Sequence, residues 1–146
     1  MKNNKGFSLV ELIIVIAIMA ILVGVMAPQL IKYIEKTNVS ADTQLADTCK
    51  TALTTAMMDP AIVTISGYSQ PTNGTIEAFA GGGAASSQMK AAIEESLGVS
   101  CSAITGKLKS KGASSISYNV VNSNQVVITV LGSHADGKSG SAIVVQ

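Results

Sequence analysis

The stretch that decides the fold is Lys5-Gly6-Phe7-Ser8-Leu9-Val10-Glu11-Leu12-Ile13, together with the apolar run that continues from it. That run extends over residues 12–31 and is interrupted only by Gly24, Pro28 and Gln29. About 20 apolar residues match the thickness of a bilayer's hydrocarbon core, where a helix satisfies all of its own backbone hydrogen bonds. The segment therefore predicts a membrane-spanning helix.

Two lysines, Lys2 and Lys5, precede the apolar run. Basic residues stay on the cytoplasmic side, so we expect the N-terminus in the cytoplasm and the rest of the chain outside. An ordinary secretory signal peptide has a shorter apolar stretch that ends at a small-residue cleavage site. The longer run here indicates a membrane anchor.

Glu11 is the one charged residue of the hydrophobic segment, and no cation follows it nearby. A carboxylate at the centre of a bilayer costs about 2.5–3.5 kcal/mol on insertion scales, so it is expected to have a partner or a task. Alternatively, Glu11 lies shallow enough to remain hydrated beside the headgroups. Composition alone leaves both interpretations open.

Residues 5–13 resemble the class III signal sequence of type IV prepilins and of type II secretion pseudopilins. The shared pattern is a basic leader ending in glycine, then Phe7, a few small or apolar residues, Glu11 and a long hydrophobic run. Pro28 also falls where pilins of this family carry a helix-kinking proline. The resemblance covers residues 5–31.

The resemblance implies a processing pathway and a role for each of these residues. A prepilin peptidase would cleave between Gly6 and Phe7, and Phe7 would then be N-methylated. Glu11 would neutralise the new amine of Phe7 on a neighbouring subunit, since two opposite charges buried together cost less than either alone. Residues 1–6 would be the leader, 7–31 the transmembrane and filament-core helix, and 32–146 the extracellular head.

The helix is expected to continue through residues 32–58 as an amphipathic segment. Its apolar positions approach the i, i+3, i+4 spacing of one helix face: Ile34, Leu45, Ala46, Cys49, Leu53, Ala56 and Met57. Asp42, Asp47 and Lys50 are predicted to lie on other faces. Asp59-Pro60 is expected to end the helix because proline cannot continue the hydrogen-bond ladder. Gly24 and Pro28 are the positions where we expect a kink.

The remainder predicts a connecting region at 59–114 and an antiparallel sheet at 115–146. Within the connection we expect a short strand at 75–80 and a helix at 87–97, capped by Ser86 or Ser87 and ended by Gly98. Alternating patterns predict strands at 116–120, 126–130 and 142–145, the first two joined by a turn at Asn122-Ser123-Asn124. The predicted fold class is α+β, a long helix packed on a small antiparallel sheet in the ladle form of pilins.

Charge and composition exclude several classes of function. The 146-residue chain has ten lysines, no arginine, nine acidic residues and a net charge of +1, which gives no electrostatic footprint for nucleic acid. Lys107, Lys109 and Lys111 are interpreted as a solvated loop. His134 and the segment 136–140 match no catalytic, calcium or phosphate-binding pattern. We therefore expect no metal, no cofactor and no enzymatic activity.

The two cysteines, Cys49 and Cys101, fit neither a zinc spacing nor a CxxC redox motif. Outside the cell they could form a disulfide that closes a loop of about 50 residues, which the chain-entropy model values at roughly 4 kcal/mol. They could equally be two small hydrophobic core residues. Both interpretations stay open at this stage.

The resemblance favours a major structural subunit of a type IV pilus that serves adhesion, surface motility or biofilm formation. Its expected partners are other copies of itself, the prepilin peptidase, and the pilus assembly machinery with its platform protein. Its precursor would span the cytoplasmic membrane once, and the assembled filament would be extracellular. One alternative is a pseudopilin of a type II secretion or competence system; another is a membrane-anchored binding module that never polymerises.

Overall fold

The structure, a computed structural model, describes residues 6–122, 125–132 and 142–146. It divides into two compact units, Met1–Ile34 and Glu35–Gln146, and the boundary falls inside the longest helix. In chain order the elements are α1 (Leu9–Met58), α2 (Pro60–Val63), β1 (Asn73–Thr75), α3 (Ser86–Leu97), a 3₁₀ helix (Cys101–Lys107), β2 (Ser115–Val121), β3 (Gln125–Leu131) and β4 (Ile143–Val145).

In the first unit, α1 is a helix whose described residues are all solvent-exposed. The helix runs through Gly24 and Pro28 without interruption and has 50 residues in all. Pro28 has no N–H to donate to the carbonyl of Gly24, so the helix lacks one backbone hydrogen bond at this point. Gly24 has no side chain to support the helix there. The expected kink at these two residues stays a prediction.

In the second unit, α1 presents a buried stripe to the head. The predicted apolar face is confirmed for Ala46, Cys49, Leu53, Ala56 and Met57, which are buried. Two assignments were wrong, because Ile34 is 52% exposed whereas Asp42 is 1% exposed and lies on the buried stripe. Spacing explains Asp42, which precedes Ala46 by four residues and Cys49 by seven, the separations that bring residues to one helix face.

The head contains one four-stranded antiparallel sheet in the order β1-β2-β3-β4. Its register pairs Tyr118 with Ile128, and Ile128 with Val145. Alternate side chains of β2 and β3 are buried, as period-2 geometry requires, and they join one core with residues of α1, α3 and the 3₁₀ helix. The α+β class and the long helix with a small antiparallel sheet are confirmed.

Strand positions differ from the prediction mainly at the first strand. The strand expected at 75–80 lies at 73–75, because Ile76 and Phe79 beyond it turn into the core. The other strands match closely, with β4 beginning one residue later than expected. Asn122 opens the predicted turn with a φ of 54°, and the other two turn residues lie outside the described ranges.

The helices of the connecting region also differ in detail. Helix α3 ends at Gly98 as predicted, in the left-handed conformation with a φ of 66°. Its N-cap, however, is the buried Ala85 rather than Ser86 or Ser87, and no side chain caps it. Two backbone hydrogen bonds stabilise the start of this helix instead. The Ala85 N–H donates to the Gly82 carbonyl at 3.1 Å, and the Ser86 N–H donates to the Gly83 carbonyl at 3.1 Å.

Two short helices were not predicted. Asp59, expected only to stop α1, also accepts a bond from the Ala61 N–H at 2.8 Å and so begins α2. The 3₁₀ helix at Cys101–Lys107 is stabilised by its contribution of Cys101 and Ile104 to the core. Its Gly-, Ser- and Thr-rich sequence carries little helical signal of its own.

Candidate processing and assembly site

Gly6 and Phe7 precede the first turn of α1 and are not part of any helix or strand. A Cβ added to Gly6 would meet nothing within 4 Å, and Phe7 is 82% exposed. The peptide bond between them therefore lies in open backbone that a protease can reach without unfolding the chain. Because the space is open, a requirement for glycine at position 6 would come from the protease and not from this fold.

Glu11 folds back onto the beginning of its own helix. The Ser8 N–H donates to Glu11 Oε2 at 3.1 Å, and the Leu12 N–H donates to the Ser8 carbonyl at 3.3 Å. This is the return bond of a capping box, in which an acidic residue three positions after the N-cap accepts an otherwise unpaired amide. The Ser8-x-x-Glu11 spacing carried that signal, which sequence reasoning passed over.

The capping geometry places the Glu11 carboxylate at the helix end where the macrodipole favours negative charge. It also holds the carboxylate at the amide of Ser8, the residue directly after Phe7. An amine created at Phe7 would therefore lie within one residue of an anchored carboxylate. The structure places Phe7 two residues before α1 and Glu11 in the first turn of that helix, while the roles expected for them are not tested by it.

The rest of the first unit is an uncovered apolar surface. Large apolar side chains from Leu9 to Ile34 are 46–71% exposed. By length and composition, α1 is the one helix among the described residues that could cross a membrane, and its most apolar window is uncovered by other parts of the chain. Exposed apolar area of this extent marks a surface that contacts lipid or other proteins.

In the second unit, the buried Asp42 binds a loop that is distant in sequence. Its Oδ1 accepts the Lys109 N–H at 2.8 Å, and its Oδ2 accepts the Ser110 N–H at 2.8 Å and the Ser110 hydroxyl. Seven residues earlier on the helix, Glu35 Oε1 accepts the Lys111 N–H at 2.8 Å. Two carboxylates of α1 thus fix the loop that leads into β2, and sequence reasoning missed both.

Cys49 and Cys101 are both completely buried in the head core and both are free thiols. Burial raises the pKa of Cys49 from 9.0 to about 12, and the proximity of Cys101 adds to that shift. Burial, followed by the nearby Glu94 carboxylate, raises the pKa of Cys101 to about 11. The structure thus has the second of the two arrangements considered, and a disulfide in the exported protein stays a prediction.

The structure describes some of the side chains that the sequence analysis set aside. Lys107, Lys109 and Lys111 are solvent-exposed as expected, but Lys107 ends the 3₁₀ helix, so the predicted loop is confirmed only for Lys109 and Lys111. Within residues 6–122, 125–132 and 142–146, no group of three or more His, Cys, Asp and Glu side chains could hold a metal ion. His134 and the segment 136–140 lie outside the described residues.

Comparison with known proteins gives one family match and a small number of relatives. Residues 1–27 match the family described as the prokaryotic N-terminal methylation motif. The chain is 46% identical over 55 residues to a fimbrial protein of Moraxella nonliquefaciens, which covers 38% of this chain and 36% of that protein. It is 39% identical over 59 residues to a fimbrial protein of Pseudomonas aeruginosa, covering 40% of this chain and 38% of that one.

These matches span less than two fifths of the length of each curated relative. No solved structure matches the chain significantly. The family match covers the segment that carries Gly6, Phe7, Glu11 and the first part of the apolar helix.

Proposed function

We propose that the chain is a type IV pilin and the major structural subunit of a type IV pilus, which its N-terminal methylation motif and its similarity to fimbrial proteins support. Copies of the chain polymerise into an extracellular filament used for adhesion, surface motility or biofilm formation. The precursor is held in the cytoplasmic membrane by one helix, with its N-terminus in the cytoplasm.

The observation that carries the proposal is that every residue in the apolar half of α1 is solvent-exposed, with one carboxylate at its N-terminal end. Burial of apolar surface stabilises by about 25 cal/mol per Å², so this helix requires a bilayer or other copies of itself as its surroundings. A bilayer supports the helix before assembly, and packed helices of neighbouring subunits support it afterwards.

Processing creates the charge that Glu11 requires. Hydrolysis of the Gly6–Phe7 bond by the prepilin peptidase consumes one water, leaves a carboxylate on Gly6 and frees the amine of Phe7. A methyl group from a sulfonium donor then replaces one proton of that amine, which keeps its basicity. In the filament, Glu11 pairs with the Phe7 ammonium of a neighbouring subunit, and the pair sets the axial register of each subunit that the platform protein adds.

The break in the helix ladder at Gly24 and Pro28 supports assembly in a different way. The Gly24 carbonyl lacks its usual donor because residue 28 is proline, so local bending there costs less than elsewhere in the helix. A helix that bends at this point can adjust its direction between the bilayer and the filament.

The proposal is tested on filaments sheared from cells that express the chain with its assembly genes. Electron microscopy should show filaments, and intact-mass analysis should give a chain that begins with N-methyl-Phe7. A filament chain that still begins at Met1 would refute the processing step. Processed chain that stays in the membrane without filaments would refute the major-pilin role and favour a pseudopilin.

The variant Gly6→Leu tests the processing step by itself. A bulky side chain before the scissile bond is expected to leave the full-length precursor in the membrane and to abolish filaments, as judged by immunoblot of membrane and sheared fractions. Gly106→Leu is the matched control, because a Cβ at Gly106 also meets nothing within 4 Å and the position is far from the cleavage site in sequence. Normal cleavage of Gly6→Leu would contradict the assigned site.

A further inference from the structure

The head contains a cleft of about 350 Å³ that none of the predicted functions uses. Two loop segments, 69–74 and 78–83, form its walls, and Tyr118 of β2 closes one side. Its volume lies in the range of small-molecule sites in proteins, which begins near 300 Å³. We call it the 69–83 cleft.

Tyr118 brings a buried hydroxyl group to the 69–83 cleft. The residue is 4% exposed, and its ring packs against Phe79 with 5.4 Å between the ring centroids. The hydroxyl lies beside Gly74, since a Cβ added there would be 2.8 Å from the oxygen. Throughout the described ranges, nothing forms a hydrogen bond with this hydroxyl.

An unpaired hydroxyl on a residue this deeply buried is unusual, because buried polar groups are nearly always hydrogen-bonded. Burial raises the pKa of Tyr118, so the group remains protonated and can donate at neutral pH. A polar group that enters the cleft from solution can therefore pair with this hydroxyl.

Gly82, which also lines the cleft, supplies a second group without a partner among the described residues. The residue is buried and has a φ of 101°, a conformation that favours glycine. Its carbonyl accepts the Ser69 N–H at 3.2 Å and the Ala85 N–H at 3.1 Å. Its own N–H, by contrast, makes no hydrogen bond to any residue that the structure describes.

The lining of the cleft restricts the class of ligand. The part of the lining that the structure describes contains no charged side chain, which favours a neutral ligand over an anion or a cation. Neutral donors and acceptors come from Ser69, Thr72 and Asn73, and small apolar faces come from Pro71 and Ala80. A purely apolar ligand would leave the polar groups unpaired.

We propose that the 69–83 cleft binds a neutral sugar, one pyranose ring whose hydroxyl groups pair with the Tyr118 hydroxyl and the Gly82 amide. An uncharged ring with several hydroxyls and apolar C–H faces matches both the polar groups and the small apolar walls. The site belongs to a single head and does not require a filament. Its test therefore uses the unassembled full-length chain and is independent of polymerisation.

Saturation-transfer NMR is used to measure sugar binding to the full-length chain in a zwitterionic detergent that has no sugar headgroup. The probes are D-galactose, D-glucose and N-acetyl-D-glucosamine at millimolar concentration. At least one is expected to receive saturation at its ring protons. Tyr118→Phe removes only the hydroxyl and should weaken that binding about tenfold, the equivalent of one lost hydrogen bond, without lowering the melting temperature.

Tyr68→Phe is the matched control, because it makes the same chemical change at a tyrosine that does not line the cleft. It should leave the binding unchanged, while Thr72→Val, at an exposed cleft residue, should weaken it as Tyr118→Phe does. The proposal is overturned if no probe receives saturation from the folded chain. It is equally overturned if both cleft variants bind as the wild type does, or if only charged probes such as N-acetylneuraminic acid bind.

Discussion

The two halves of α1 share one backbone ladder and differ in where their partners lie. Up to Ile34 every described residue is exposed, whereas from Glu35 onward a stripe of the helix is buried against the head. Helices of globular proteins owe most of their stability to tertiary packing of one face. The second half finds that packing within its own chain, and the first half can find it only in lipid or in other molecules.

The same contrast appears in two carboxylates of this helix. Asp42 accepts three hydrogen bonds from the 109–110 segment and needs nothing from outside the chain. Glu11 accepts a hydrogen bond from the Ser8 amide at the start of its own helix and is exposed within an apolar surface. A satisfied buried carboxylate serves folding, and an exposed one in an apolar segment is available for assembly.

The largest effect is expected from Glu11→Ala. The variant removes a carboxylate from a lipid-facing segment, so membrane insertion should be at least as good as that of the wild type. Cleavage should persist, because the scissile bond lies four residues away. Filaments recovered by shearing should fall at least about tenfold, because the Phe7 amine of each neighbour would be left without its counter-charge.

Asp47→Ala is the matched control for Glu11→Ala, since it removes an exposed carboxylate from the same helix. Its filament yield should equal that of the wild type. A normal yield from Glu11→Ala as well would refute the pairing of Glu11 with the amine.

The next largest effect is expected from Asp42→Ala, this time on the stability of the head. Loss of the carboxylate leaves two backbone amides and one hydroxyl without their acceptor at a buried position, at roughly 1 kcal/mol or more each. We expect the free energy of unfolding to fall by about 3 kcal/mol, measured by urea denaturation of the full chain in detergent. Asp47→Ala should change it by less than about 0.5 kcal/mol. Equal stabilities for the two variants would show that the Asp42 contacts contribute nothing net.

The sequence predicted the first half of α1 better than the head, for a physical reason. The helix within residues 6–34 was predicted from its apolar composition and a short linear motif, and neither depends on tertiary contacts. Asp42 could not be placed in the same way, because its partners lie 67 and 68 residues away in a loop with no distinctive pattern. The one feature of the sequence that indicated burial of Asp42 was its separation of four and seven residues from Ala46 and Cys49, which places it on the same helix face.

The strands of the head lie between these extremes. Alternating apolar residues in β2 and β3 predicted which side chains of each strand face the core. A strand with one buried face has an apolar residue at every second position. The first strand shifted since its three residues, Asn73-Gly74-Thr75, carry no apolar alternation at all. Gly74 is needed there for another reason, which is the close approach of the Tyr118 ring.

A smaller effect is expected at the end of α3. Gly98 has a φ of 66° with open space around it, so Gly98→Ala introduces backbone strain but no steric clash. We expect a loss of about 1 kcal/mol in the free energy of unfolding. Gly106→Ala is the control, because that position is equally open and has no positive φ. It should be neutral or slightly stabilising, and equal losses at both positions would contradict the assigned conformation of Gly98.

The smallest effect is expected from the two cysteines at neutral pH, since both are buried in the head and lie outside residues 6–34. Their pKa values, raised to about 12 for Cys49 and about 11 for Cys101, keep both thiols protonated at pH 8. Thiolates are the reactive form, so the native chain should not react with a thiol reagent at that pH. The unreduced chain should show two thiols after denaturation, whereas a count of zero would show that the exported protein bonds the two sulfurs.

The same shifts predict the sign of an alkaline effect on the reduced chain. In the unfolded chain both thiols ionise near pH 9.0, while in the folded head they remain neutral until the pH approaches 11 to 12. The free energy of unfolding should therefore be unaffected by these groups below pH 9 and should fall as the pH rises through this interval, because the unfolded state binds fewer protons. In the double variant Cys49→Ala and Cys101→Ala this part of the decline should disappear, which urea titrations at pH 8 and pH 10.5 can measure. An equally steep decline in the double variant would assign the alkaline sensitivity to the tyrosines and lysines instead.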